Sequence, residues 1–163
     1  MSFKTRLLAA SAALFLAAPA FADGIMVHDA YARASAMMST SGAAFMMIHN
    51  ATGEDDRLID AKSDIADRVE LHTHQEDANG VMKMIHVEEG FPLPKDGMIA
   101  MQRGGNHVMF LGLKHPLEQG EIVPITLVFE KAGEVTVEVP VDLNRKPMGG
   151  MEMDHSKMKM GTD

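Results

Sequence analysis

Glu134-Val135-Thr136-Val137-Glu138-Val139 alternates valine with an acid or a threonine at every step. Residues two apart on an extended chain share one face, so this segment reads as a β-strand with its valines turned inward and its other face wet. The same texture continues outward through the chain. From residue 25 to residue 141, short β-prone runs are separated by turn residues, and helical periodicity is weak throughout. Candidate strands cover 26–34, 43–49, 56–61, 68–74, 81–87, 98–102, 107–113, 123–129 and 134–141. Asn50-Ala51-Thr52-Gly53, Asn79-Gly80, Pro92-Leu93-Pro94, Gly104-Gly105 and Ala132-Gly133 fall where reversals are needed, which makes sequential runs antiparallel neighbours. The expectation is an all-β sandwich or barrel of short antiparallel strands.

The ends of the chain have a different composition. Lys4 and Arg6 precede an apolar run from Leu7 to Ala18, and Ala20-Phe21-Ala22 supplies a small-x-small cleavage pattern. Residues 1–22 are therefore expected to be a cleaved signal peptide, with residues 23–143 as one β-domain and 144–163 as a flexible tail. The apolar run is too short to span a bilayer and no later segment is long enough, so no membrane insertion is expected after cleavage. Losing Lys4 and Arg6 takes the formal charge from −8 to −10. Such a chain is repelled by nucleic acid and by anionic membranes but is suited to handling cations.

The chain contains no cysteine, so no disulfide staples it and no thiolate can bind a metal. Methionine is the compositional anomaly, at 16 residues against one tyrosine and no tryptophan. Some of these fill core gaps, and Met46 and Met47 inside an apolar strand read that way. Others fall among histidines. Three segments concentrate soft-metal donors: His72 with His74; Met82, Met84 and His86; and His107 with Met109. On a strand His107 and Met109 point the same way while Val108 points inward. A hairpin closed by a three-residue loop at Ala78-Asn79-Gly80, with Gly80 left-handed, would pair His74 with Met84 and His72 with His86 and bring all five donors to one face. A slip of one residue would reverse the arrangement.

Imidazole nitrogen with thioether sulfur suits monovalent copper, a soft ion without geometric demand of its own, better than zinc. Thioethers also bind without losing a proton. A blue-copper redox site needs a thiolate, which is missing. The G-x-S-x-G elbow, the His-Glu-x-x-His helix and the phosphate-cradling glycine loop are missing too, so the chain is read as a non-enzyme.

Val69-Glu70-Leu71-His72, then Met84, then Gly104-Gly105-Asn106-His107-Val108-Met109-Phe110-Leu111-Gly112-Leu113 resembles the periplasmic copper chaperones called PCuAC. That motif runs His, a neighbour that is often Met, ten residues, Met, about 21 residues, His-x-Met. Here Thr73 takes the neighbour's place and 22 residues separate Met84 from His107, which keeps Met82 open as an alternative to Met84. The likeness extends to Arg33, Asp55-Asp56-Arg57-Leu58, Leu127-Val128-Phe129-Glu130 and the last strand. It implies a cupredoxin-like Greek-key sandwich that binds Cu(I) through His72, Met84, His107 and Met109 in the periplasm. It also implies delivery to the CuA-bearing subunit of cytochrome c oxidase alongside a Sco-type thiol copper protein. Storage or resistance without a dedicated acceptor is the alternative use of the same residues.

The tail holds Met148, Met151, Met153, His155, Met158 and Met160. Thioethers are a poor choice for a merely solubilising segment because they oxidise. A second, flexible copper site is expected there, for another Cu(I) or for Cu(II) held through His155 and nearby oxygen or nitrogen donors.

Overall fold

The computed structural model describes residues 24–34, 36 and 38–146. Among these residues every regular element is a strand: β1 (Ile25–Ala34), β2 (Ser41–Asn50), β3 (Asp56–Lys62), β4 (Ala66–Glu76), β5 (Met82–His86), β6 (Phe91–Leu93), β7 (Met98–Met101), β8 (His107–Leu113), β9 (Ile122–Phe129) and β10 (Gly133–Pro140). They form two sheets. One runs β1-β2-β8-β4-β5, with β7 extending the β8 position along the far half of β2; the other runs β10-β9-β3-β6. All the strand pairings are antiparallel, as the turn chemistry predicts. No helix among the described residues is long and apolar enough to cross a membrane.

The sheets bury one face of each against the other. Met46, Ile48, Leu71, Val108 and Phe110 come from the first sheet; Leu58, Ile125, Leu127, Val137 and Val139 come from the second. Val135, Val137 and Val139 are buried while Glu134, Thr136 and Glu138 are exposed, so the alternation in β10 has the expected phase. At about 25 cal/mol per Å² of apolar surface removed from water, burial of such side chains is the main stabilising term. A parallel bridge between Ala32 and Val141 ties the edge of one sheet to the end of the other, and the Asp142 N–H donates to the Ala32 carbonyl at 2.9 Å.

Two expectations need correction. Pro92-Leu93-Pro94 was read as a reversal, yet Phe91–Leu93 is a short strand whose Phe91 and Leu93 are buried and whose Pro92 faces out opposite Arg57. An edge strand tolerates proline because its outer N–H is not needed for pairing. Met47 was read with Met46 as core filling, but only Met46 is core; Met47 lies on the opposite face of β2.

The β4–β5 hairpin has the expected register, with His72 opposite His86 and His74 opposite Met84. Asp77 closes it. Its N–H donates to the Val81 carbonyl, and its Oδ1 accepts from the Asn79 and Val81 N–H groups. Gly80 adopts φ +80°, open to glycine without steric penalty. This hairpin and β8 set the spacing of the site on the outer face of the first sheet.

Candidate metal centre

Val108 and Phe110 point into the core, so their neighbours His107 and Met109 emerge on the outer face of β8. His72 is the direct cross-strand partner of His107, and Glu70 is the partner of Met109. Directly paired residues place their Cβ atoms about 4.5–5.5 Å apart on one face. The His72 and His107 rings accordingly lie 5.9 Å apart between centroids, and the His74 ring lies 5.4 Å from that of His107. His86, exposed at the sheet edge, stacks on His72 at 5.7 Å. Phe45 walls the other side of His107 at 6.0 Å.

The hydrogen bonds of the two facing imidazoles leave each with one idle nitrogen. His107 is 2 % exposed. Its Nδ1 donates to the Gly105 carbonyl at 2.9 Å, leaving Nε2 buried without a partner. His72 Nε2 lies 2.8 Å from Glu70 Oε2, leaving Nδ1 buried without a partner. An ionised carboxylate only accepts, so it takes the His72 ring proton onto the Nε2 side and keeps the Nδ1 lone pair free. Each unsatisfied buried polar group costs roughly 1–3 kcal/mol. Two on facing side chains make this face a candidate for a bound ion.

The electrostatics suit a soft cation. Burial is the main force lowering the His107 pKa, joined by the charges of His74 and His72 and opposed by the Gly105 hydrogen bond. The ring therefore stays neutral and able to donate a lone pair. The His72 hydrogen bond, supported by the nearby Arg68 guanidinium, outweighs burial and lowers the Glu70 pKa, so Glu70 stays ionised.

Met109 and Met84 line one open depression with Ala43, Phe45, Arg33 and Arg103. Met84 sits in the row next to that of His72, opposite His74; Met82 sits one row further toward the hairpin loop, opposite Glu76. Both thioethers are exposed, Met84 at 44 %. Among the described residues no group of three or more His, Cys, Asp or Glu side chains is set to hold a metal. Met148, Met151, Met153, His155, Met158 and Met160, the expected tail site, lie outside the described residues.

Sequence reasoning missed the groups that orient the imidazoles. Glu70 was legible, since a residue two before His72 on a strand shares its face. The Gly105 carbonyl was not, because it depends on how the Gln102–Gly105 turn is closed by the Gly105 N–H bond to Gln102.

The family model described as "Putative lipoprotein LpqE-like" matches residues 25–141, which spans the whole sandwich and all four expected ligands. The chain belongs to the LpqE-like family. A curated relative, "Putative lipoprotein Lxx21020" of Leifsonia xyli subsp. xyli (strain CTCB07), is 33% identical over 120 residues, 74% of this chain and 70% of the relative. Among solved structures, the copper-bound PCuAC domain from PmoF2 is 28% identical with a TM-score of 0.60, covering 74% of this chain and 93% of that one. The Cu(I) form of DR1885 from Deinococcus radiodurans is 30% identical with a TM-score of 0.56, covering 77% of this chain and 84% of that one. The apo form of the same protein covers 88% of this chain at 28% identity and a TM-score of 0.58. The PCuAC resemblance carried by the His72, Met84 and His107-x-Met109 pattern is thus borne out, and with it the cupredoxin-like all-β fold.

Proposed function

We propose that this LpqE-like protein is an exported, non-catalytic Cu(I) carrier that holds the ion on His72, Met84, His107 and Met109 and releases it by ligand exchange. The observation that carries the reading is the pair of buried, unpartnered nitrogens on two directly opposed histidines, each ring oriented through its other nitrogen by Glu70 or by Gly105. Such outer partners are the usual companions of metal-binding imidazoles. The copper-bound forms of the PmoF2 domain and of DR1885 support copper as the ion.

Release begins at the exposed side. Met84 stands on the outermost strand, β5, whose residues are all exposed, whereas His107 is packed against Phe45 inside the sheet. An acceptor ligand enters beside Met84, and the histidines let go last. Residues 1–22 direct export, and the periplasm is the compartment. The acceptor is the CuA-bearing subunit of cytochrome c oxidase, with a Sco-type protein supplying the thiols this chain lacks.

The test is anaerobic Cu(I) competition against a chromophoric chelator. His107→Ala with Met109→Ala is expected to weaken binding beyond the roughly 10–100-fold cost of losing an outer partner, while circular dichroism stays native. Met84→Leu weakens binding and Met82→Leu does not. Unchanged affinity in the double variant refutes the site. Transfer to an acceptor faster than release to solvent supports delivery; equal rates assign the protein to storage.

A further inference from the structure

The outer face of the first sheet carries a second concentration of the same donors, away from the first. Along β2, Met46 and Ile48 are core residues, so Phe45, Met47 and His49 project outward. His49 is directly paired with Met26 of β1 on one side and with Met98 of β7 on the other. The three side chains therefore form one row across three strands. In the next row Met47 is paired with His28 and Ala100. Two adjacent rows thus present Met26, His28, Met47, His49 and Met98 on one face.

This patch does not read as ordinary sheet surface. The solvated face of an antiparallel sheet is normally polar, as on β10. Here the central strand offers a thioether and an imidazole, and both flanking strands add sulfur. His49 Nδ1 is buried without a hydrogen-bond partner, the same condition found at His72 and His107. Those are the three such side-chain atoms among the described residues, and all belong to histidines on this one face, His49 having methionine on both sides. Met98 is 55 % exposed, so core packing does not account for its sulfur.

We propose that Met26, His49 and Met98 form a second site for a soft monovalent cation, Cu(I) in this protein, completed by His28 or Met47 from the adjoining row. Cross-strand spacing of about 4.5–5.5 Å on either side of His49 lets two flexible thioethers converge on one ion beside an imidazole. Phe45, which packs on His107, lies four residues from His49 along β2, about 13 Å at the rise of an extended strand. That separation makes two distinct coordination spheres, with Met47 between them. The inference shares with the proposed function only the choice of ion, since the two sites have no ligand in common.

The test uses the full chain with 13C-labelled methionine methyl groups, titrated anaerobically with Cu(I) and, as a redox-inert stand-in, with Ag(I). The Met26 and Met98 methyls are expected to shift together along one saturable curve, accompanied by the His49 ring resonances. His49→Ala is expected to weaken that curve roughly tenfold or more, as loss of a metal-site partner does. Met98→Leu, a volume-conserving change at an exposed position, removes the curve at Met26 and leaves the shifts of Met84 and Met109 intact. Met26 and Met98 methyls that stay still until every other methionine has saturated would overturn the proposal, as would an unaltered curve in Met98→Leu. Movement at Met26 and Met98 with none at Met84 and Met109 would refute the first site and uphold this one.

Discussion

Glu70→Gln probes the orientation of the first site without touching a proposed ligand. Glu70 Oε2 lies 2.8 Å from His72 Nε2, with the two side chains 17 % and 12 % exposed, so the contact is largely shielded from water. Its other oxygen meets Arg68, whose side chain is mostly in solvent and adds little. A hydrogen bond to a charged group is worth about 1.5–3 kcal/mol. Loss of an outer partner typically lowers metal affinity about 10–100-fold, or roughly 1.4–2.8 kcal/mol at 1.4 kcal/mol per decade. The two ranges overlap because they describe the same event. The carboxylate obliges Nε2 to carry the proton, whereas a glutamine amide can turn its NH2 toward Nε2 and drive the proton to Nδ1, the nitrogen the proposed site offers to copper. The assay is anaerobic Cu(I) competition combined with 15N shifts of the His72 ring, which report the tautomer. A ten- to hundredfold loss with a changed tautomer is expected, with Arg68→Ala close to wild type. Unchanged affinity in Glu70→Gln would show that the carboxylate does not orient the site.

Two further predictions concern the scaffold. Burial alone would raise the pKa of Asp56, but hydrogen bonds from the Arg57, Lys131 and Ala132 N–H groups outweigh it and hold the carboxyl below its ordinary value. A lowered folded-state pKa stabilises the fold fully above the unfolded-state value and is lost as pH falls through the folded-state value. Asp56→Asn leaves one of these N–H groups facing an amide nitrogen and is expected to cost about 1–3 kcal/mol at neutral pH. In denaturant titrations the gap to wild type should close below about pH 4; a gap that persists unchanged in acid contradicts the assignment. Gly90→Ala places a Cβ 2.0 Å from the Leu58 carbonyl oxygen at a residue with φ +71°. The left-handed conformation alone costs about 1–2 kcal/mol. Chemical denaturation should therefore show a loss larger than that, and a near-neutral result would mean that the β3–β6 edge relaxes freely.

The hairpin that brings His72 and Met84 together was legible because Asn79-Gly80 fixes the turn, and the turn fixes which residues oppose. The phase of β2 was not, since Ala43 to Ile48 is a continuous apolar run in which period-two alternation is hidden. Only the structure separates Met46, which faces the core, from Met47, which faces solvent, and that separation exposes the row through His49. β6 escaped notice because two prolines in four residues resemble a loop, although Phe91 and Leu93 carry the alternation of a strand.

Charge accounts for the choice of donors better than softness alone. In the proposed site, two imidazoles and two thioethers bring no negative charge, so a bound ion would keep its own. One carboxylate, Glu70, touches this set, through the proton on His72. Arg68 already pairs with that carboxylate, and Arg33 and Arg103 line the same depression, so the surroundings hold no spare negative charge for a second positive charge on the ion. A divalent ion would leave an excess positive charge beside His107, a ring that burial already keeps from protonating, and uncompensated charge in such surroundings is costly. If the proposed site holds the ion, the arrangement that lowers the His107 pKa would also disfavour zinc or Cu(II) at this place. Replacing Met109 with Glu would supply the missing charge, and should shift preference from Cu(I) toward divalent ions in a competition between the two.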